Sequence, residues 1–199
     1  MIAESIGDLF GRLKEQTSDI HKQVEERIPI FRSDFNGAEY VRLIELFYGF
    51  WAPVENKLCR IKALEDRQLD LVGRMKSSLL EQDLRYLGRD PARVPLCGSL
   101  PAVDNFLTGV GCLYVLEGSS LGARIISRRL SDCLRLTTGA GASFFNAYGE
   151  STSERWRSFK AFVSSNVDPV STEKVVDAAV DTFERLFDWL GEPVELRGD

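Results

Sequence analysis

Residues 108–130 have the sequence TGVGCLYVLEGSSLGARIISRRL, which repeats apolar residues at helical spacing and yet contains four glycines. Gly111, Gly118 and Gly122 are seven and four residues apart, so they share one face of the predicted helix. Each glycine inside a helix costs roughly 1 kcal/mol relative to alanine, and several on one face indicate close approach of the backbone to another group. Two interpretations stay open. The Gly118-x-x-x-Gly122 pattern is typical of a tight helix–helix crossing, and the same face could form a flat groove against a planar ligand.

The rest of the chain predicts further amphipathic helices, separated by breaks rich in proline and glycine, and almost no strands. We expect helices ending near residue 27 and over residues 36–58, 71–87, 102–136, 144–148, 153–165 and 171–190, with loops at 89–101 and 137–143. Asn36 and Glu39 resemble a capping box at the start of the second helix. Pro53 should bend that helix or end its first part. The pattern predicts a single all-α domain over residues 1–199, with six to eight helices.

Composition narrows the class of protein. The chain has 199 residues, a formal net charge of −5 and 44% hydrophobic residues, which is ordinary for a globular domain and argues against a nucleic-acid binder. Its four cysteines form no C-x-x-C pair and match no zinc motif, so we expect reduced thiols. No signal peptide and no membrane-spanning apolar run occur. We therefore expect a cytoplasmic protein without a membrane or nucleic-acid partner.

The single histidine, His21, lies within the apolar stripe of the first predicted helix. The members of that stripe recur at helical spacing and are Leu9, Phe10, Leu13, Thr17, Ile20, Val24 and Ile28. Imidazole is the commonest metal ligand in proteins, so a lone inward-facing copy is a candidate ligand. A hydrogen-bonded core histidine explains the position equally simply, and spacing alone favours that interpretation.

Several other sites are disfavoured by the motifs. The glycines follow a helix rather than a strand, and no phosphate-binding loop motif occurs. A di-iron bundle needs two Glu-x-x-His pairs, whereas this chain has one histidine with Ser18 three residues before it. No G-x-S-x-G motif is present for a serine nucleophile.

Two segments together resemble the heme oxygenase family. LKEQTSDIHKQVE, residues 13–25, resembles the proximal-helix motif of that family, L-K-x-x-T-x-x-x-H-x-x-x-E. LYVLEGSSLGARII, residues 113–126, resembles the distal helix of its bacterial branch, especially the type found beside bacteriophytochromes. Chain length, helical content and motif order agree as well. The resemblance implies a multi-helical fold with heme between a proximal helix and a glycine-rich distal helix.

The resemblance also implies roles on the proximal side. His21 would be the heme iron ligand, and Glu25, one turn further on, would hydrogen-bond to the other ring nitrogen and fix the ring orientation. Lys14 lies two turns before His21, roughly 10 Å along the axis, and would pair with a heme propionate. Thr17 belongs to the same motif, and Tyr114 would offer its phenol to the second propionate or to pocket water.

Three later residues are matched less closely. Arg157 and Lys160 are candidates for a basic rim around the propionates. Phe183 falls where the family often places an aromatic ring against the porphyrin, although with twelve phenylalanines in the chain a core position explains it more simply.

On the distal side, the resemblance assigns catalysis to Gly118, Ser119 and Gly122. Glycine backbone would press on bound oxygen and tilt it toward the ring edge, while ordered water supplies protons. The chain departs from the animal pattern at two positions. Ser119 replaces an aspartate that organises the water network, and Ala123 replaces a second adjacent glycine. These departures leave the route of proton delivery unassigned.

The implied activity is oxidative cleavage of heme to biliverdin, CO and ferrous iron with O2. The sequence has no flavin or NAD motif, so a separate donor, a ferredoxin or a flavoprotein reductase, would supply electrons. A bacteriophytochrome is a possible recipient of the biliverdin. Two alternatives remain at this point: a non-catalytic heme or bilin carrier on the same fold, and a helical module whose glycine face packs against a partner helix.

Overall fold

The computed structural model describes the backbone of residues 2–191, and the side chains of residues 9–191 apart from position 123. Within that part of the chain, eight α-helices are joined by turns and single-turn 3-10 helices, with no β-strand. The helices are α1 (Ile2–Glu26), α2 (Gly37–Leu58), α3 (Lys62–Glu65), α4 (Ser77–Tyr86), α5 (Phe106–Gly118), α6 (Ala123–Leu134), α7 (Thr152–Asn166) and α8 (Thr172–Gly191). The predicted all-α class is confirmed.

Helix α2 begins where the sequence predicted and passes through its proline. The Asn36 side chain accepts the backbone N–H groups of Ala38 and Glu39, which completes the predicted capping box. The prediction that Pro53 could end the first part of this helix is wrong. Proline cannot donate to the carbonyl four residues earlier, and here that carbonyl, on Gly49, accepts the N–H of Cys97 at 2.8 Å instead. The helix therefore continues with its hydrogen bonding satisfied.

The predicted helix over residues 71–87 is shorter in the structure. A 3-10 turn occupies Val72–Arg74, and α4 begins only at Ser77. The cause is a contact distant in sequence: the Glu55 carboxylate accepts the backbone N–H groups of Lys76 at 2.7 Å and Ser77 at 3.0 Å. A carboxylate bound to the first free N–H groups sets the start of a helix.

The long helix predicted over residues 102–136 is broken in the structure. Helix α5 ends at Gly118, a 3-10 turn follows over Ser119–Gly122, and α6 then continues. The segments Phe106–Gly122 and Arg124–Leu134 are bent by 52° relative to each other. Because the apolar periodicity runs on through the break, it gave no sign of where the helix stops.

The two interpretations of the glycine face apply to different residues. A Cβ atom at Gly111 would clash with the backbone of Val175 and Ala179 in α8, so this glycine allows a tight helix crossing. By contrast, the Cβ positions of Gly118 and Gly122 have no other heavy atom within 4 Å. The crossing therefore lies at Gly111, and the Gly118-x-x-x-Gly122 face is open.

Helix α8 is the common support for the other long helices. It packs along both α1 and α5, and the indole N–H of Trp189 donates to the Leu46 carbonyl of α2 at 2.7 Å. The Arg27 guanidinium at the end of α1 donates to the Phe187 carbonyl at 2.7 Å. The two motifs that resemble the heme oxygenase family are therefore placed by one helix.

The predicted loop at residues 137–143 is confirmed and is tied into the core. Asp83, which is buried, accepts the backbone N–H groups of Ser143 at 2.8 Å and Phe144 at 2.9 Å. Tyr40 donates its phenol to the Gly141 carbonyl at 2.6 Å. The helix predicted over 144–148 is reduced to a 3-10 turn, Phe144–Asn146.

Two further findings concern the described part of the chain. None of the four cysteines, which all lie within it, forms a disulfide. Among the described helices, none alone has both the length and the apolar character to cross a membrane; the bent pair Phe106–Gly122 and Arg124–Leu134 meets those two criteria only when taken together.

We expect Gly111→Ala to lower the free energy of unfolding by about 1–3 kcal/mol, because the added methyl group overpacks a backbone contact. The matched variant Gly118→Ala adds the same group in open space, so its stability should be unchanged or up to about 1 kcal/mol higher. Urea unfolding followed by circular dichroism measures both values. Equal effects in the two variants would contradict the assignment of the crossing to Gly111.

Candidate active site

The proximal and glycine-bearing helices meet at Thr17 and Tyr114. Thr17 is buried, its hydroxyl donates to the Leu13 carbonyl at 2.6 Å, and it lies beside the Tyr114 phenol. Burial raises the pKa of Tyr114, and the neighbouring Thr17 hydroxyl opposes that rise. Phe10 of α1 adds a ring contact to Tyr114 with centroids 6.5 Å apart. The predicted residues Thr17 and Tyr114 thus form a direct link between the two motifs.

His21 follows Thr17 by one helical turn and is accessible. Its side chain is 52% exposed, so the prediction that it faces into the core is wrong. Thr17 and Val24 take the buried positions of this stripe, and His21 lies at its edge. An apolar repeat shows which residues share a helix face, but it does not show which of them lie at the centre of that face and which at its edge.

Two predicted residues lie beside the His21 ring. The Phe183 ring of α8 lies 5.2 Å from the imidazole, centroid to centroid, with 36° between the planes. Glu25 Oε1 lies 3.4 Å from His21 Nε2. Phe183 is itself buried, so it is a core residue that also contacts the imidazole.

On the other helix, Gly118 follows Tyr114 by one turn. Residues at this spacing share a helix face, and the space beside Gly118 is open. Ser119 donates its hydroxyl proton back to the Leu116 carbonyl at 2.7 Å, so its oxygen is left to act as an acceptor. The side chain of Ala123, the other departure from the animal pattern, lies outside the described side chains.

The structure connects the three predicted cationic residues to the site less directly than it connects Thr17 and Tyr114. Lys14 is exposed on α1, Arg157 is exposed on α7, and Lys160 is half-buried. In α7 it is Trp156 that contacts the site, with its ring centroid 5.8 Å from that of Tyr114. The structure therefore places α7 beside the site without joining Arg157 or Lys160 to the other predicted residues through a hydrogen bond or ion pair within the described chain.

A buried ionic cluster lies directly behind the glycine segment, and the sequence analysis missed it. The Glu117 carboxylate pairs with the Arg74 guanidinium and with Lys76 Nζ, the latter at 3.3 Å, and it accepts the Tyr148 phenol at 2.5 Å. The only sequence signal was a carboxylate, Glu117, inside the apolar run LYVLE. Its partners are remote in sequence and carried no motif.

The donor set fits one iron ligand from the protein. Within residues 9–191, no three His, Cys, Asp or Glu side chains cluster in a way that could hold a metal ion. One accessible imidazole suits a metal whose other ligands come with a planar macrocycle.

Comparison with known proteins decides the family. The sequence model of the heme oxygenase family matches residues 7–192. The chain belongs to the heme oxygenase family. This match confirms the family and enzyme class that the two motifs predicted, and no curated protein sequence matches the chain.

Solved heme oxygenase structures share the fold. The enzyme from Neisseria meningitidis, determined with NO and CO bound, has a TM-score of 0.76 and 22% identity, over 92% of each chain. Heme oxygenase-1 from the cyanobacterium Synechocystis, in complex with heme, has a TM-score of 0.71 and 18% identity, over 92% of this chain and 90% of that one. Heme oxygenase 2 from Chlamydomonas reinhardtii, solved without heme, has a TM-score of 0.67 and 17% identity, over 94% and 98%. The all-α heme oxygenase fold is confirmed.

We expect Thr17→Val to lower the free energy of unfolding by about 1 kcal/mol, because it removes a buried hydroxyl that donates to the Leu13 carbonyl and lies beside Tyr114 of α5. Valine keeps the shape of the side chain, so the loss reports the hydroxyl alone. Urea unfolding measures it, with Ser18→Ala on the same helix as the control. A Thr17→Val protein as stable as the control would show that the Thr17 hydroxyl does not stabilise the fold.

Proposed function

We propose that this heme oxygenase cleaves heme to biliverdin, CO and ferrous iron, with O2 and externally supplied electrons. The observation that carries the proposal is the pairing of an accessible imidazole with an open glycine face. His21 and Gly118 each follow the Thr17–Tyr114 contact by one turn of their own helix. A planar substrate placed past this contact would meet the imidazole on one side and bare backbone on the other.

His21 is proposed as the iron ligand on the proximal side. Phe183 limits rotation of its ring by lying 5.2 Å away, and Glu25 is close enough to His21 Nε2, at 3.4 Å, to orient it. A carboxylate beside a ligating imidazole fixes its tautomer and raises its basicity. If Nε2 binds the iron, Glu25 shifts to Nδ1 or acts through water, because one nitrogen cannot serve both partners.

Charged and polar groups around the site are proposed to hold the propionates. Lys14 is exposed on α1, roughly 10 Å along the axis from His21. This separation is comparable with the distance from the centre of a heme to its carboxylate edge, which supports a pairing with a propionate. Tyr114 supplies a phenol at the level of the Thr17 contact. Arg157 and Lys160 on α7 would complete a basic rim, supported by the contact of the neighbouring Trp156 with Tyr114.

The distal side is proposed to act through shape and water. Bound heme supplies the iron that activates O2 and the ring that is cleaved. Gly118 and Gly122 keep side chains away from that space, so small ligands and water can occupy it. The Ser119 hydroxyl donates its hydrogen bond to the Leu116 carbonyl. Its oxygen would therefore accept a hydrogen bond from pocket water and orient that water.

The finer assignments extend this proposal. A ferredoxin or a flavoprotein reductase would supply the electrons, since the sequence carries no flavin or NAD motif. The distal motif supports a bacterial enzyme of the type whose biliverdin serves a bacteriophytochrome, and we propose a cytoplasmic location for it. The departures at Ser119 and Ala123 were the support for a non-catalytic carrier, and no observation in the structure adds to it.

The ligand assignment is tested by titrating the protein with hemin. We expect a saturable Soret band, and biliverdin on addition of a reductant and O2. In His21→Ala the Soret band should shift and weaken, and added imidazole should restore it by entering the space of the lost ring. Gln23→Ala, at an exposed position on the same helix, is the matched control. Wild-type heme ligation in His21→Ala without imidazole would overturn the assignment.

The propionate assignment is tested with an esterified substrate. We expect Lys14→Met to weaken hemin binding about three- to fivefold, because it removes one partly solvated ion pair. Binding of hemin dimethyl ester, which has no propionate charge, should not change. Lys22→Met removes another exposed lysine of α1 and should affect neither ligand. An equal loss for hemin and its ester would argue against a propionate contact.

A further inference from the structure

The break between α5 and α6 coincides with a carbonyl that has two polar partners. Leu116 O accepts the Ser119 hydroxyl at 2.7 Å from within the segment, and it accepts Lys76 Nζ at 2.7 Å from outside. A carbonyl oxygen has two lone pairs, so these two bonds saturate it. The hydroxyl of Ser119 and the ammonium of Lys76 are therefore held by the same atom.

The next residue of α5 is held in the same way. The Glu117 carboxylate pairs with Arg74 and Lys76, and the Tyr148 phenol donates to it at 2.5 Å. Side-chain exposure is 1% for Arg74 and Glu117 and 2% for Lys76. Burial and the adjacent carboxylate raise the pKa of Tyr148, so its hydroxyl keeps its proton and remains a donor.

These partners come from three separate parts of the chain. Arg74 and Lys76 precede α4, Glu117 lies in the last turn of α5, and Tyr148 lies between α6 and α7. Lys76 is fixed in turn, because Glu55 accepts its backbone N–H at 2.7 Å. The two buried cations thus face two buried carboxylates, Glu117 and Glu55.

The cations Lys76 and Arg74, which lie beside the last residues of α5, favour the end of that helix at this position. The last carbonyls of a helix have no partner within it and carry partial negative charge, which an ammonium group stabilises. The apolar periodicity of residues 102–136 favours continuation of the helix instead. Lys76 and Ser119 together saturate the Leu116 carbonyl. It therefore cannot accept the backbone N–H of Ser120, which would bond to it if the α-helix continued.

The cluster is poorly explained as a device for stability alone. Buried ion pairs are often no better than apolar packing of the same volume. Arg74 Nε is also buried without a hydrogen-bond partner among the described residues, which costs free energy. A role in specifying one local geometry accounts for the position of the charges at the helix break.

We propose that Lys76, Arg74 and Tyr148, here called the clamp, hold the α5–α6 break and thereby position Ser119 and Gly118 over the substrate. The clamp residues do not touch heme in this proposal, so they are positioning residues. The proposal rests on the function proposed above, since it concerns the distal side of the same site. It identifies residues outside both sequence motifs that control the distal geometry.

Hydrogen exchange in the heme-free protein tests the clamp without reference to activity. In Lys76→Met the amides of residues 119–122 should exchange about tenfold faster, because a charge-assisted hydrogen bond to the break is lost. Lys57→Met is the matched control: Lys57 Nζ also donates to a backbone carbonyl, that of Pro101, at 2.8 Å. Exchange at residues 119–122 should not change in this control.

Tyr148→Phe provides a second, milder variant that keeps the ring and changes no formal charge. We expect a two- to fivefold increase in exchange at the same amides. This variant decides the outcome if Lys76→Met does not fold. Unchanged exchange at residues 119–122 in the folded variants would overturn the proposal that the clamp holds the break.

Turnover of hemin tests the positioning step. In Lys76→Met and Tyr148→Phe, kcat for heme loss should fall about tenfold and threefold, while the hemin Kd stays within twofold and the Soret band keeps its position. Faster exchange with unchanged kcat would overturn the role of the clamp in positioning. If the wild-type protein neither binds nor converts hemin, the proposed function fails, whereas the exchange measurement still decides whether the clamp holds the break.

Discussion

The contact between Gly111 and the backbone of α8 is the constraint on which the site depends. It allows α5 to approach α8 more closely than any side chain would permit. Helix α8 also carries α1, through the ring contact of Phe183 with His21 and the bond from Arg27 to the Phe187 carbonyl. The imidazole and the glycine face are therefore placed relative to each other by a third helix. A change in the α5–α8 crossing would move one wall of the site relative to the other.

Local pattern predicted the parts of this fold that depend on local interactions. Apolar periodicity and the Asn36 capping box predicted α2, and the glycine-rich loop at 137–143 was recognised by its composition. The C-terminal end of α5 and the start of α4 could not be predicted in the same way. Each is set by a side chain remote in sequence, Lys76 on the Leu116 carbonyl and Glu55 on the N–H of Ser77. Continuation of α2 through Pro53 likewise depends on Cys97 from a later loop.

The candidate site was predictable only in part for related reasons. The motif resemblance pointed to His21, Thr17 and Tyr114, and in the structure the last two lie side by side. Periodicity placed His21 among the buried residues of its stripe, whereas its side chain lies at the exposed edge of that stripe. The Glu117 cluster was invisible because its members, Arg74, Lys76 and Tyr148, form a unit only after the chain has folded. Ionic partners without a fixed sequence spacing leave no motif.

The glycine helix thus combines two opposite requirements in one short segment. At Gly111 the absence of a side chain permits close packing, and at Gly118 it leaves space for a ligand. Open space beside a helix carries no packing that would fix its geometry. The helix geometry must therefore be fixed from the side away from the proposed ligand. On that side the buried Lys76 ammonium bonds to the Leu116 carbonyl and the Arg74 guanidinium pairs with Glu117. An apolar core on that side would stabilise the fold equally well, but it would not specify the residue at which the helix ends. Hydrogen bonds to one particular carbonyl, that of Leu116, specify this residue. In the proposed site, the geometry of the open glycine face therefore depends on directional hydrogen bonds on the opposite side of the helix.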